Sequence, residues 1–108
     1  MLGGIRMVME VGQVFRSRGG SEYKVSEVRA SGRGAGFSAV RLSSGKEVRC
    51  SRRLIDRTRS ALLAGKALKV QSNGPGGISY TVAVEAAVLF ALRSEGIAVR
   101  LEGRTWVV

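Results

Sequence analysis

Arginine is the residue type in this chain with the most chemistry to offer. Arg41, Arg49, Arg52, Arg53, Arg57 and Arg59 fall within one short stretch, followed by Lys66 and Lys69, and Glu47 and Asp56 are the only acids among them. A guanidinium group is planar, stays charged and donates through a fork that fits a phosphate or a guanine edge bidentately. Such a run has the chemistry of polyanion binding. Catalysis is poorly provided for, because the chain has no histidine and its one cysteine, Cys50, has no evident activating partner. One cysteine without histidine also leaves no zinc site of the usual ligand types and no intrachain disulfide. Gly32, Gly34 and Gly36 alternate, but no long helix opens after them as a dinucleotide fingerprint requires, so no cofactor is expected.

The bland account of the arginines is that a small helix must present charged side chains to water, and that a GC-rich genome favours Arg over Lys. Two features weigh against it. Cations at a helix start face the positive end of its dipole, so Arg52 and Arg53 cost about 0.3–1 kcal/mol there unless an anion is bound. A merely solvated helix also mixes its signs into i to i+4 pairs, whereas Asp56 alone offsets four arginines between 52 and 59. The expectation is one contiguous anion-receiving patch made of Arg41, Arg49, Arg52, Arg53, Arg57, Arg59, Lys66 and Lys69. DNA or RNA would be gripped mainly by the phosphate backbone, with little dependence on sequence. Arg16, Arg18 and Arg33 lie in or beside the glycine-containing stretches RSRGGS and ASGRGAGF and are expected to add secondary contacts.

The whole chain agrees with a basic, folded module. Its 108 residues carry 18 Lys plus Arg against 8 acids, a formal charge of +10, and 44% are hydrophobic. This length suits one domain with one core, 1–108, made of a β-rich part (11–55) and a helix, strand, helix and hairpin part (56–108). Most of the positive charge falls in the middle third. The longest apolar run, 82–92, is broken by Glu85 and is far shorter than the roughly 20 residues that span a bilayer. Arg6 and Glu10 interrupt the apolar core that an export signal needs. The cytoplasm is the expected compartment, with neither membrane nor metal as a partner.

Stretches 13–17, 22–30, 37–42 and 47–51 alternate as strands, joined by glycine turns, with a bulge expected near Glu27. From Ser51, a plausible N-cap, the period becomes helical: Leu54, Ile55, Thr58, Ala61 and Leu62 share a face, and Gly65 ends it. Stretch 66–71 reads as a strand and NGPGG (73–77) as a loop. Ile78, Tyr80, Val82 and Val84 alternate as a strand to 84, followed by a nearly all-apolar core helix to Ser94 that stops at Gly96. A hairpin around Glu102 and Gly103 closes the chain. The fold class is therefore α+β, a small curled antiparallel sheet with two helices and a C-terminal β-hairpin.

The order GQVF, YKVSEV, FSAVRL, SGKEVRC looks like the SH3-like or Tudor-type small barrels, a likeness of shape over 11–55. The stretch from Ile78 onwards resembles the last helix and wing of winged-helix regulators, with Ser79, Thr81 and Val82 at the helix start, Gly96 at its end and Gly103 in the wing. That resemblance implies backbone contacts from Arg100 and Arg104, yet a reading helix must present polar side chains, and this one offers little besides Glu85. Glu22 and Lys24, with Glu10 upstream, resemble the carboxylates and lysine of nucleases, although a surface ion pair explains a three-residue match better. Tyr23, Phe37, Cys50 and Trp106 read as core. The rival to nucleic-acid binding is an assembly subunit: a basic face for an acidic partner, with the apolar last third partly buried in a homo-oligomer.

Overall fold

Period-two alternation builds the first half of the molecule. The computed structural model describes residues 9–66, 81–103 and 105–108, together with the backbone of Leu68 and Lys69. Strands β1 (Val14–Arg16), β2 (Glu22–Arg29), β3 (Gly36–Arg41) and β4 (Glu47–Ser51) form an antiparallel sheet in that order. The register pairs Phe15 with Tyr23, Val25 with Ala39, and Phe37 with both Val28 and Cys50, so one face is continuously apolar. The pairing slips between Val25 and Glu27. This bulge inserts one residue, returning Val28 to the inner face opposite Phe37.

The sheet is open: β1 and β4 are its edges, and the described residues contain no closed barrel. The SH3-like or Tudor-type likeness is thus not established, and the architecture stands as α+β. The physical reason is visible in the packing. Helix α2 (Val82–Ser94) contacts both edge strands, filling the space that curling strands would have enclosed. Phe90 from α2 stacks on Phe15 at 4.7 Å, and Phe15 stacks on Tyr23 at 5.3 Å, so three rings tie the helix to the sheet. Ala87, Val88 and Leu92 are fully enclosed with Phe37 and Ile55, and burial of each larger side chain contributes about 1.5–3 kcal/mol.

Both helices carry complete caps. Helix α1 (Arg52–Leu63) starts at Ser51, whose Oγ accepts from the Leu54 N–H at 3.1 Å. It ends with the Lys66 N–H donating to the Ala61 carbonyl and the Gly65 N–H to that of Leu62, with Gly65 at φ +82°. Helix α2 ends the same way, Ile97 donating to Leu92 and Gly96 to Arg93. In both, a left-handed glycine satisfies the last carbonyls.

The start of α2 corrects the expectation of a strand to Val84. Val82 and Val84 are helical, because the Thr81 hydroxyl accepts from the Val84 N–H at 3.2 Å and nucleates the first turn. The preceding residues of that expected strand, and the NGPGG loop, lie outside the described residues. Three short strands, β5 (Leu68–Lys69), β6 (Arg100–Glu102) and β7 (Thr105–Val107), form a second antiparallel sheet in the order β5-β7-β6. Trp106 and Val99 anchor it in the common core. No helix among the described residues is long and apolar enough to cross a membrane.

Candidate nucleic-acid interface

The expected patch divides into side chains facing water and side chains committed to the fold. Ile55, Thr58 and Leu62 turn α1 towards the core. On the opposite flank, Arg53 and Arg57 are exposed one turn apart, followed by Ser60. Neither arginine makes an ion pair or side-chain hydrogen bond among the described residues. Lys66 is exposed just past the end of the helix.

Arg59 is enclosed rather than on an exposed flank. Its side chain is 13% exposed, its Nε and Nη2 clamp the two oxygens of Glu95 at 2.8 and 2.6 Å, and its Nη1 donates to Asp56 at 2.8 Å. These hydrogen bonds, that to Glu95 first, raise its pKa beyond the usual arginine value. A guanidinium with two carboxylate partners locks the end of α2 to the middle of α1, with its Nε, Nη1 and Nη2 all engaged. Helical periodicity identified its flank, but Glu95 is 36 residues away and only folding brings it near.

Arg41 and Arg49 are also separated. The register puts Arg41 on the face shared by Phe37 and Ala39, whereas Arg49 lies opposite Ser38 on the other face. Arg41 donates from Nη2 to the Ser21 Oγ at 2.9 Å, and its Nε is buried with no partner among the described residues. Arg49 is exposed, with its Nε 3.0 Å from Glu47. The two do not project towards one region, because they are an even number of residues apart but on different strands whose pairing sets them on opposite faces. The side chain of Lys69 lies outside the described residues.

Arg52 has a positioning task. Its N–H donates to the Ala35 carbonyl at 2.8 Å and its Nη1 to that of Ala30 at 3.2 Å, holding loop 30–35 against the start of α1. Arg29 holds the same loop from the sheet, donating to Gly34 at 2.6 Å and to Ser38 Oγ at 3.0 Å. Arg33 is exposed on that loop and, among the described residues, has no ion pair. Gly36 makes the close approach possible. It sits at φ +142°, and a Cβ there would overlap the Cys50 carbonyl and press on the Ser51 backbone.

The other secondary candidates are at the far end of the sheet. Arg16 pairs with Glu22 at 3.3 Å across exposed strands. Among the described residues no group of three or more His, Cys, Asp or Glu is placed to hold a metal ion. Arg18 donates to Glu85 at 2.6 Å, and Glu85 is buried inside α2. An acid isolated in an apolar helix needs a cationic partner; this was the one sequence signal that could have located Arg18.

The two helices differ in how they meet their own dipoles. Helix α2 has Glu85 in its first turn and Arg93 in its last, both favourable. Helix α1 has no acid in its first turn and no base in its last, and it opens on Arg52 and Arg53. It is also the basic helix with the unpaired flank.

Compared with protein-family models, curated proteins and solved structures, the chain matches none.

Proposed function

We propose that the protein is a non-enzymatic nucleic-acid-binding module that grips the phosphate backbone through the exposed flank of α1. The observation that carries this reading is that Arg53 and Arg57 stand one turn apart without ion pairs among the described residues, in a chain of charge +10. An electrostatically unfavourable helix start becomes favourable when a phosphate neutralises it. Arg33, on the loop fixed by Arg52 and Arg29, and Lys66, past the helix end, extend the contact. Arg59, Arg41 and Arg49 are not part of it.

The test is a salt titration of binding to mixed DNA and RNA beside an Arg53→Glu, Arg57→Glu double variant. Binding is expected to fall steeply with salt, by a slope of about 0.9 per phosphate contact on duplex DNA. The double variant should weaken binding about tenfold or more on every sequence and flatten that slope by about two units. Affinity indifferent to salt, or a double variant that binds like the parent, ends the proposal.

The assembly reading has a narrower basis. Most of the apolar surface of α2 is covered within the chain itself, and the large apolar side chains exposed among the described residues lie on several elements, Leu63 at 62%, Leu42 at 54%, Val14 at 48% and Leu101 at 43% among them. Light scattering separates the two: an oligomer that shifts no nucleic acid favours assembly. The winged-helix likeness fares less well, because the helix that would enter a groove is the buried one.

A further inference from the structure

A cleft of about 220 Å³ opens where the β1–β2 turn meets α2 and the second sheet, lined in part by Phe15, Arg18, Glu85, Phe90, Arg93 and Trp106. Its polar groups are only partly used. Glu85 is 4% exposed and accepts from Arg18 Nε through Oε1, and among the described residues its second oxygen accepts nothing. Both terminal nitrogens of Arg18 are likewise without protein partners there. Arg93 spends one nitrogen on the Val99 carbonyl and lies over the Trp106 ring, 5.5 Å from its centre. Trp106 is 5% exposed, and its indole N–H is enclosed with no acceptor among the described residues.

An enclosed indole N–H with no acceptor among the described residues is costly, and the second oxygen of Glu85, in the same cleft, takes no donor there. A ligand that stabilises this cleft must donate to Glu85, accept from Arg18 or Trp106, and present flat apolar faces to Phe90 and the Arg93–Trp106 pair. Nucleobases have those properties, and they are not equivalent. Guanine carries two adjacent donors, N1–H and the N2 amino group, with no acceptor between them, and its O6 and N7 acceptors fit an arginine fork. In adenine and cytosine the amino group is flanked by an acceptor that would face the carboxylate. In uracil and thymine the one donor lies between two carbonyls.

We infer that this cleft binds a guanine base, with Glu85 receiving its donor edge, Arg18 its acceptor edge, and the aromatic and guanidinium planes its faces. Choosing a nucleobase over other flat ligands rests on the nucleic-acid reading of α1. The base is supplied either by a free nucleotide or by an unpaired position of a strand. A duplex cannot present it without flipping it out.

Trp106 is the sole tryptophan, so its fluorescence reports this cleft alone. The full chain is titrated with GMP, AMP, CMP, UMP and inorganic phosphate, then with a short single strand containing one guanine and with its duplex. GMP should quench saturably and bind about tenfold or more tightly than the other nucleotides, and Glu85→Gln should abolish that preference. A single strand that quenches where its duplex does not assigns the base to a strand; quenching by GMP alone assigns it to a free nucleotide. Either result supports the cleft. Equal quenching by all four nucleotides, phosphate matching GMP, or no quenching by any of them overturns it, and this comparison on the unchanged protein decides even if Glu85→Gln fails to fold. In the Arg53→Glu, Arg57→Glu variant the GMP titration should be unchanged. If that variant also leaves strand binding and its salt dependence intact, the α1 reading fails while the guanine site stands.

Discussion

Helices α1 and α2 are nearly equal in length and opposite in construction. Helix α2 is apolar on almost every side, carries its few charges where the dipole favours them and pairs its buried acid with Arg18. Helix α1 is basic, begins against its dipole and leaves Arg53 and Arg57 facing water. The seam between them uses the same side chain differently again. Arg59, two residues beyond Arg57, is enclosed by Glu95 and Asp56. The lesson is that local count and spacing of arginines do not distinguish a binding group from a structural one. Carboxylates are scarce here: Arg18 and Arg59 secure one, Arg41, Arg52 and Arg93 are held by a hydroxyl or by backbone carbonyls, and Arg53 and Arg57 keep their guanidinium groups towards water.

The largest expected effect removes the seat of α1 altogether. Gly36→Ala forces a Cβ onto the Cys50 carbonyl at a backbone angle that L-residues avoid, and should cost about 4 kcal/mol in urea unfolding. A cost below about 1 kcal/mol would mean that the close approach joining loop 30–35 to α1 is absent.

Next comes the contrast within α1 itself. Arg59→Ala strands Glu95, whose side chain is 14% exposed, and should cost about 2–3 kcal/mol. Arg57→Ala should stay within about 0.5 kcal/mol. Comparable costs at the two positions would erase the distinction between flank and seam. A double-mutant cycle with Glu95→Ala should recover a coupling energy for Arg59 and none for Arg57.

Alkali probes the core beneath that seam. Arg59, with its pKa raised by Glu95, stays charged and holds its pair, so the seam itself loses nothing over the accessible range. Cys50 is different, because burial pushes its thiol from 9.0 up to about 12. The folded state therefore keeps the proton that the unfolded chain releases. Stability is full below pH 9 and declines as the pH rises towards 12, by about 1.4 kcal/mol at one unit above the unfolded value. Thermal melts across this window should show the decline, and Cys50→Ala should flatten it.

The smallest effect separates the two helix dipoles. Arg53→Glu should raise stability by about 0.3–1 kcal/mol in the absence of nucleic acid, while Arg93→Glu at the end of α2 should lower it by at least as much. If Arg53→Glu instead destabilises the free protein, Arg53 has a structural role and the case for a binding flank weakens.

Much of this molecule was legible before any coordinates. The four strands, the bulge beside Glu27, the caps at Ser51 and Gly65, the core face of α1 and the enclosed nature of α2 all follow from hydrophobic period and turn chemistry, which act between residues close in the chain. Val82 and Val84 misled because two β-branched residues alternate equally well in a strand and in the first turn of a helix, and the Thr81 cap decides for the helix.

Sequence by itself determined the four strands of the first sheet, helix α1 with its core face, the end of α2, and that the excess charge is arginine. Tertiary structure alone decided the open sheet, the opposite faces of Arg41 and Arg49, the capture of Arg59 by Glu95 and the cleft around Glu85. Local periodicity specifies the direction of a side chain relative to its own backbone. The partner it meets depends on segments tens of residues away, which burial of a shared core brings within hydrogen-bonding reach.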